Sequence, residues 1–160
     1  MDKKYKDKII VFTDGSCLKK KSGILCGYAC HFPYKEIPDI SRKFTHVPLT
    51  SQRAELYAIY KALRKITKKY NFKELTVYSD SEYSIKSVTL WINTWKKNNW
   101  KTTNKKPVMN LDIIKKIDGI LQEYPSKIKF VHVTAHTLKT DFLSKNNEIT
   151  DKLAKNGALK

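Results

Sequence analysis

Apolar residues recur along the chain with two periods, one of strands and one of helices. Ile9 to Phe12 are consecutive β-formers and predict a short buried strand over about 8–14. Leu25 to Phe32 reads as a second strand, with Gly27 allowing a close approach or a bulge, and Ser41 to Val47 as a third. Short connections among these favour an antiparallel meander. Leu56, Ile59, Tyr60, Leu63 and Ile66 then follow helical spacing, with Arg53, Lys61, Arg64 and Lys68 on the other face. This predicts a helix over about 51–70, capped by Thr50 or Ser51 and ended by Asn71. Leu75 to Ser79 reads as a fourth strand, and the long helix before it implies a parallel crossover. Further helices are expected over 82–91 and 108–123, a fifth strand over 128–133, and a last helix capped by Asn146 or Asn147. Residues 1–7 are expected to fray, 18–23 to form a basic loop, and 137–146 a polar loop.

Composition narrows the class. A chain of 160 residues, 41% hydrophobic, predicts one domain over 1–160 with a filled core. Its apolar runs are too short to cross a membrane, and its lysine-rich start is no signal peptide. An intracellular protein, cytoplasmic or nuclear, is the expectation. The initiating Met and the complete last helix favour a freestanding enzyme over a polyprotein fragment. Lys and Arg outnumber Asp and Glu by 32 to 15, a net charge of +17. Such a surplus suits a polyanion such as nucleic acid, or is a lysine-rich composition with no ligand. Cys17, Cys26 and Cys30 are odd in number and lack zinc spacing, so reduced thiols are expected.

Several carboxylates sit where an acid is costly. Asp14 ends the first strand and is followed by Gly15 and Ser16; Asp80 ends the fourth and is followed by Ser81. Asp14-Gly15 on its own is a turn signal, and a Glu early in a helix answers the helix dipole. If the two strands are parallel, however, Asp14 and Asp80 lie at the same sheet end, where ligands of open α/β sheets gather. Glu55 enters the first turn of the long helix beside its apolar stripe. Asp151 lies in the first turns of the last helix with no obvious basic partner in sequence. Four converging carboxylates repel one another unless a cation is present. Mg²⁺, a hard ion that takes oxygen ligands, answers that need, and two such ions about 4 Å apart clamp a phosphodiester.

A second feature is the segment from Trp91 to Pro107. It holds all three tryptophans, and residues 83–111 contain six lysines and no acid. Tryptophans are commonly core residues, yet aromatics interleaved with unbalanced lysines also suit a nucleic-acid face.

The chain resembles the type 1 ribonuclease H family over about 8–158. The matching segments are Phe-Thr-Asp14-Gly-Ser-Cys17, Thr50-Ser-Gln-Arg-Ala-Glu55-Leu and Tyr-Ser-Asp80-Ser-Glu-Tyr83. They continue with Trp91-Ile-Asn-Thr-Trp95-Lys-Lys-Asn-Asn-Trp100-Lys, Lys105-Lys-Pro-Val, Val-Thr-Ala-His136 and Asn147-Glu-Ile-Thr-Asp151. The resemblance implies an α/β fold with a five-stranded mixed sheet, three strands antiparallel and two parallel, and helices on both faces. It implies endonucleolytic cleavage of the RNA strand of an RNA/DNA hybrid, leaving 3′-hydroxyl and 5′-phosphate ends. Asp14, Glu55, Asp80 and Asp151 would bind two Mg²⁺ ions, with Mn²⁺ a possible substitute. Glu55 would also contact the 2′-hydroxyl beside the scissile phosphate, and His136, on a mobile loop, would assist proton transfer or product release. Cys17, Thr50, Ser51, Gln52 and Glu82 would line the substrate groove. The 91–107 segment would be a basic protrusion gripping the DNA strand through Trp91, Trp95, Lys96, Lys97, Trp100, Lys101, Lys105 and Lys106. A monomer with no membrane partner is expected. Two rival readings are a non-catalytic nucleic-acid-binding module and a resolvase or exonuclease on a similar sheet.

Overall fold

A computed structural model describes residues 2–160. Five strands form one sheet in the order β3-β2-β1-β4-β5. They are β1 (Lys4–Lys20), β2 (Gly23–His31), β3 (Ile40–Phe44), β4 (Tyr70–Ser79) and β5 (Ile128–His132). β1 pairs antiparallel with β2, and β2 with β3; β4 runs parallel to both β1 and β5. The helices are α1 (Ser51–Lys69), α2 (Glu82–Thr89), α3 (Trp91–Lys97), α4 (Leu111–Glu123) and α5 (Phe142–Ala158). The expected mixed sheet and parallel crossover are present.

β1 divides the core because alternate residues face opposite sides of the sheet. Ile9 and Val11 are fully buried in the larger cluster, with Ala58, Ile59, Ala62, Leu63 and Ile66 of α1 and Ile113, Ile114 and Ile117 of α4. Phe12 points to the other side, where its ring meets Phe142 of α5 at 6.1 Å. α5 approaches that side closely at Gly27, where a Cβ would land on the backbone of Ala154 and Ala158. Helix and strand therefore touch main chain to main chain there.

Element ends depart from the sequence reading, each for a tertiary reason. Residues 4–7 are strand, since Lys4 and Lys6 pair with Tyr70 and Phe72 of β4, whose side chains are buried. Met1 lies outside the described residues. α1 passes straight into β4 at Tyr70, so neither Asn71 nor a loop ends it. The expected basic loop is a hairpin: β1 continues to Lys20 opposite Gly23, leaving two turn residues, and Gly23 has φ of 130°. β3 stops at Phe44. α5 begins at Phe142, capped by Asp141 Oδ1 accepting from Ser144 N, so Asn146 and Asn147 lie inside the helix.

The cysteines correct the expectation of reduced thiols. Register places Cys17 opposite Cys26, and the two form a disulfide across β1 and β2. Only Cys30 is free among the described residues. It is buried, its Sγ donates to Ala58 O at 3.3 Å, and burial pushes its thiol up to about 12. Spacing along one strand hid the cross-strand neighbour.

Two outcomes follow. In denaturant without reductant, a thiol assay should count one reactive cysteine, and three after reduction. Gly27→Ala forces α5 off the sheet, and urea denaturation should show a loss of about 2–3 kcal/mol.

Candidate active site

The register Thr13↔Ser79 is the last pairing of β1 with β4, so the next residues, Asp14 and Asp80, stand side by side. Asp80 leaves β4 there, while β1 runs on past Asp14, which pairs with Ala29 of β2, so the expected strand end at Asp14 is instead an interior strand position. The start of α1 lies against the same place. A Cβ on Gly15 would overlap the backbone of Ala54 and Glu55, so glycine is what admits the helix. Thr50 caps α1, its Oγ1 accepting from Arg53 N at 3.2 Å, and this fixes the helix start. Arg53 is buried and donates to both Asp112 carboxylate oxygens at 2.9 and 2.8 Å, tying α1 to α4. Glu55 stands one turn further along than the sequence suggested; the first turn of α1 contains no acid.

Asp14, Glu55 and Asp80 each offer a carboxylate oxygen, and these oxygens lie within 4.8 Å of one another. Asp14 and Glu55 are buried. Gly15 N donates to both, at 2.9 Å to Asp14 Oδ1 and 2.5 Å to Glu55 Oε1. Asp14 Oδ2 is buried without any hydrogen-bond partner. Desolvation first, and then the neighbouring acids, push the Asp14 carboxyl above the usual carboxylate range. Burial raises Glu55 too, and the charges of Asp80 and Asp151 add to it, while hydrogen bonds with Asp14 and Gly15 N pull it back part of the way. Asp80 is also raised, chiefly by burial, while its hydrogen bond from Asn147 Nδ2 at 3.3 Å pulls it down. An orphaned buried oxygen beside two more hard oxygen donors fits a divalent cation of the Mg²⁺ type.

Asp151 lies outside this trio, though its charge raises all three acids. It has a basic partner after all: Lys155, one turn along α5, sits 3.0 Å from its Oδ2. Asp151 and His136 line one cavity of about 480 Å³ together with Asn147, Glu148 and Lys152. His136 is exposed, in a left-handed conformation with φ of 53°, and is near enough that its charge lowers Asp80.

Asn147 and His132 were not singled out from the sequence as neighbours of the acids. Asn147 is buried inside α5, and His132 Nε2 donates to the backbone oxygen of Asp80 at 3.3 Å. Two adjacent asparagines in a helix interior, where their propensity is poor, were the available signal for Asn147. His132 had none.

The groove candidates scatter more. Thr50, Ser51 and Gln52 are exposed at the start of α1. Cys17 is held in the disulfide and offers no free thiol. Glu82 opens α2 and pairs with Lys86 at 2.6 Å. In the 91–107 segment Trp95 and Trp100 pack against the core, and Trp91 is the exposed one. Lys96 is engaged by Asp118 at 2.7 Å, while Lys97, Lys101, Lys105 and Lys106 are exposed and form no ion pair among the described residues.

Residues 6–159 match the family model for RNase H. A ribonuclease H of Schizosaccharomyces pombe is 37% identical over 153 residues, covering 95% of this chain and 53% of its own length. One of Haemophilus influenzae is 37% identical over 154 residues, covering 94% of this chain and 90% of its own. The chain therefore spans about half of the first relative and nearly all of the second. The solution structure of the PFV RNase H domain superposes with a TM-score of 0.79 at 26% identity, covering 94% of either chain. The mixed sheet, the family model and the superposition define a ribonuclease H-like α/β domain. The chain belongs to the ribonuclease H family, and its relatives place it with type 1.

Metal-free protein carries a pH signature. A carboxyl raised above its unfolded value costs nothing below that value, about pH 4, and destabilises increasingly as pH climbs above it. Asp14→Asn keeps the acceptor for Gly15 N and removes a buried charge. In chelator it should gain on the order of 2 kcal/mol at pH 7 and nothing near pH 3, read by thermal melts at the two pH values.

Proposed function

We propose that this chain hydrolyses the RNA strand of RNA/DNA hybrids endonucleolytically, leaving a 3′-hydroxyl and a 5′-phosphate. The observation that carries this reading is the Asp14–Glu55–Asp80 cluster with the orphaned Asp14 Oδ2, set in a chain of charge +17. Family membership supports it, and so does the foamy viral protease-reverse transcriptase of the same fold, whose structure is described as a complex with RNA/DNA hybrid.

Asp14, Glu55, Asp80 and Asp151 would hold two divalent ions. Bound there, such ions supply charge neutralisation and acidify water at the phosphodiester. The remaining work belongs to the chain. Gly15 N and Asn147 Nδ2 orient the carboxylates by hydrogen bonds, so little reorganisation is needed when cations arrive. Glu55 would accept from a ribose 2′-hydroxyl, a contact that selects RNA over DNA. His136 on the cavity rim exchanges a proton with the leaving oxygen or helps release product. Thr50, Ser51 and Gln52 meet substrate at the exposed start of α1. Lys97, Lys101, Lys105, Lys106 and the face of Trp91 hold the DNA strand, and Lys96 serves instead to fasten α3 to α4. The whole of 1–160 acts as one catalytic unit and as a monomer.

Incubation with hybrid, duplex DNA and duplex RNA, each with and without Mg²⁺, should give cleavage of hybrid with Mg²⁺ alone. Asp80→Asn should lower that rate by at least about 10³-fold while leaving hybrid affinity within about threefold. Robust turnover in that variant contradicts the assignment.

A further inference from the structure

The far half of α1 carries a second electropositive site. Arg42 of β3 and Lys61, Arg64, Lys65, Lys68 and Lys69 of α1 line a concavity of about 470 Å³, with Ile40 as the one uncharged wall residue. No acid lines it. Glu55 is the only acid of α1, and it belongs to the carboxylate cluster. Helix C-termini favour cations, which accounts for Lys68 and Lys69 in the last turn. It does not account for Lys61, Arg64 and Lys65 further back, nor for the like-charge i,i+4 pairs Lys61–Lys65, Arg64–Lys68 and Lys65–Lys69, which repel.

No ion pair among the described residues relieves that repulsion, since none includes any of the six cations. Asp39 is the acid whose charge reaches Lys65, and it is already taken by His31 Nδ1 at 2.8 Å and Phe32 N at 2.7 Å. Lys65 is held in place, its Nζ donating to Pro38 O at 2.7 Å and lying 5.7 Å from the centre of the Phe32 ring. Burial and then Lys69 lower its pKa, which is the mark of an uncompensated cation.

We propose that this concavity between β3 and α1 binds phosphodiester backbone of a nucleic-acid substrate extending beyond the catalytic groove. The site rests on the reading of the chain as a nuclease, since that activity brings the polyanion. A membrane surface is disfavoured because the concavity presents no exposed apolar side chain to insert. Lys61 to Lys69 lie about 9–21 Å beyond Glu55 along the helix axis. A hybrid of about 8 base pairs, roughly 27 Å long and centred on the acids, reaches about 13 Å to either side, short of Lys65, Lys68 and Lys69 at about 15–21 Å, whereas a hybrid of about 40 reaches well past them.

The test is a Lys65→Gln/Lys68→Gln/Lys69→Gln variant, glutamine matching lysine in helix propensity. Circular dichroism checks that it folds. For the hybrid of about 40 base pairs, KM should rise about 10-fold in about 0.1 M salt, and the slope of log affinity on log salt should fall by about 2–3. On the hybrid of about 8 base pairs, kcat and KM should stay as in the wild type. Binding of a single-stranded DNA of about 40 nucleotides in chelator should weaken likewise. Unchanged long-hybrid KM and single-strand affinity overturn the site, as does an equal loss on the short hybrid, or a loss confined to vesicles of anionic phospholipid. A wild type that cleaves no hybrid sinks the catalytic reading alone; weaker single-strand binding by the variant would still uphold the site.

Discussion

Mutual repulsion among buried carboxylates is the interaction on which this structure turns. Three acids from separate elements are brought within 4.8 Å of one another, two of them buried. Charges so placed cannot all ionise cheaply without a counter-ion. The fold holds them there through rigid main chain. Parallel pairing delivers Asp14 and Asp80 together, and Gly15 lets the helix start close over them. A site built on a central strand, the end of its neighbour and the start of a helix keeps its geometry better than one built on loops.

The surrounding polar contacts hold the elements against that repulsion. Arg53 binds Asp112 through two nitrogens and so locks α1 to α4. On the opposite face His31 links Asp39 to Asn146 Oδ1, the latter at 2.9 Å, which fastens α5 to β2. The next residue of α5, Asn147, reaches Asp80. One helix thus carries its own anchor, a hydrogen bond to the cluster and the outlying Asp151. The low dielectric that makes these acids costly also strengthens the bonds that restrain them.

Positive charge is distributed unevenly in its consequences. Some lysines are spent internally: Lys96 on Asp118, Lys129 on Glu74 and Lys155 on Asp151. Others, on the 91–107 segment and along the far half of α1, have no ion-pair partner among the described residues. A polyanion near the molecule meets a broad attractive field around a small negative centre.

Sequence alone determined the element types other than α3, which it read only as part of the 91–107 segment, and the parallel crossover, because period-2 and period-3.6 patterns are local and reflect which face is buried. It also marked Asp14, Glu55 and Asp80, since an acid ending an apolar strand or lying beside an apolar helical stripe is anomalous wherever the chain goes. What it left open depended on partners distant in sequence. Residues 4–7 look frayed until β4 lies beside them, and Cys17 looks free until the hairpin sets Cys26 opposite. Asn146 and Asn147 read as caps, yet Asp141 caps α5 and they point inward to His31 and Asp80. Trp95, Trp100 and Lys96 read as ligand-facing, and packing turned them toward the core and Asp118. Local pattern records how a segment divides between water and interior; register, close approach and the pairing of distant charges exist only once the elements are assembled.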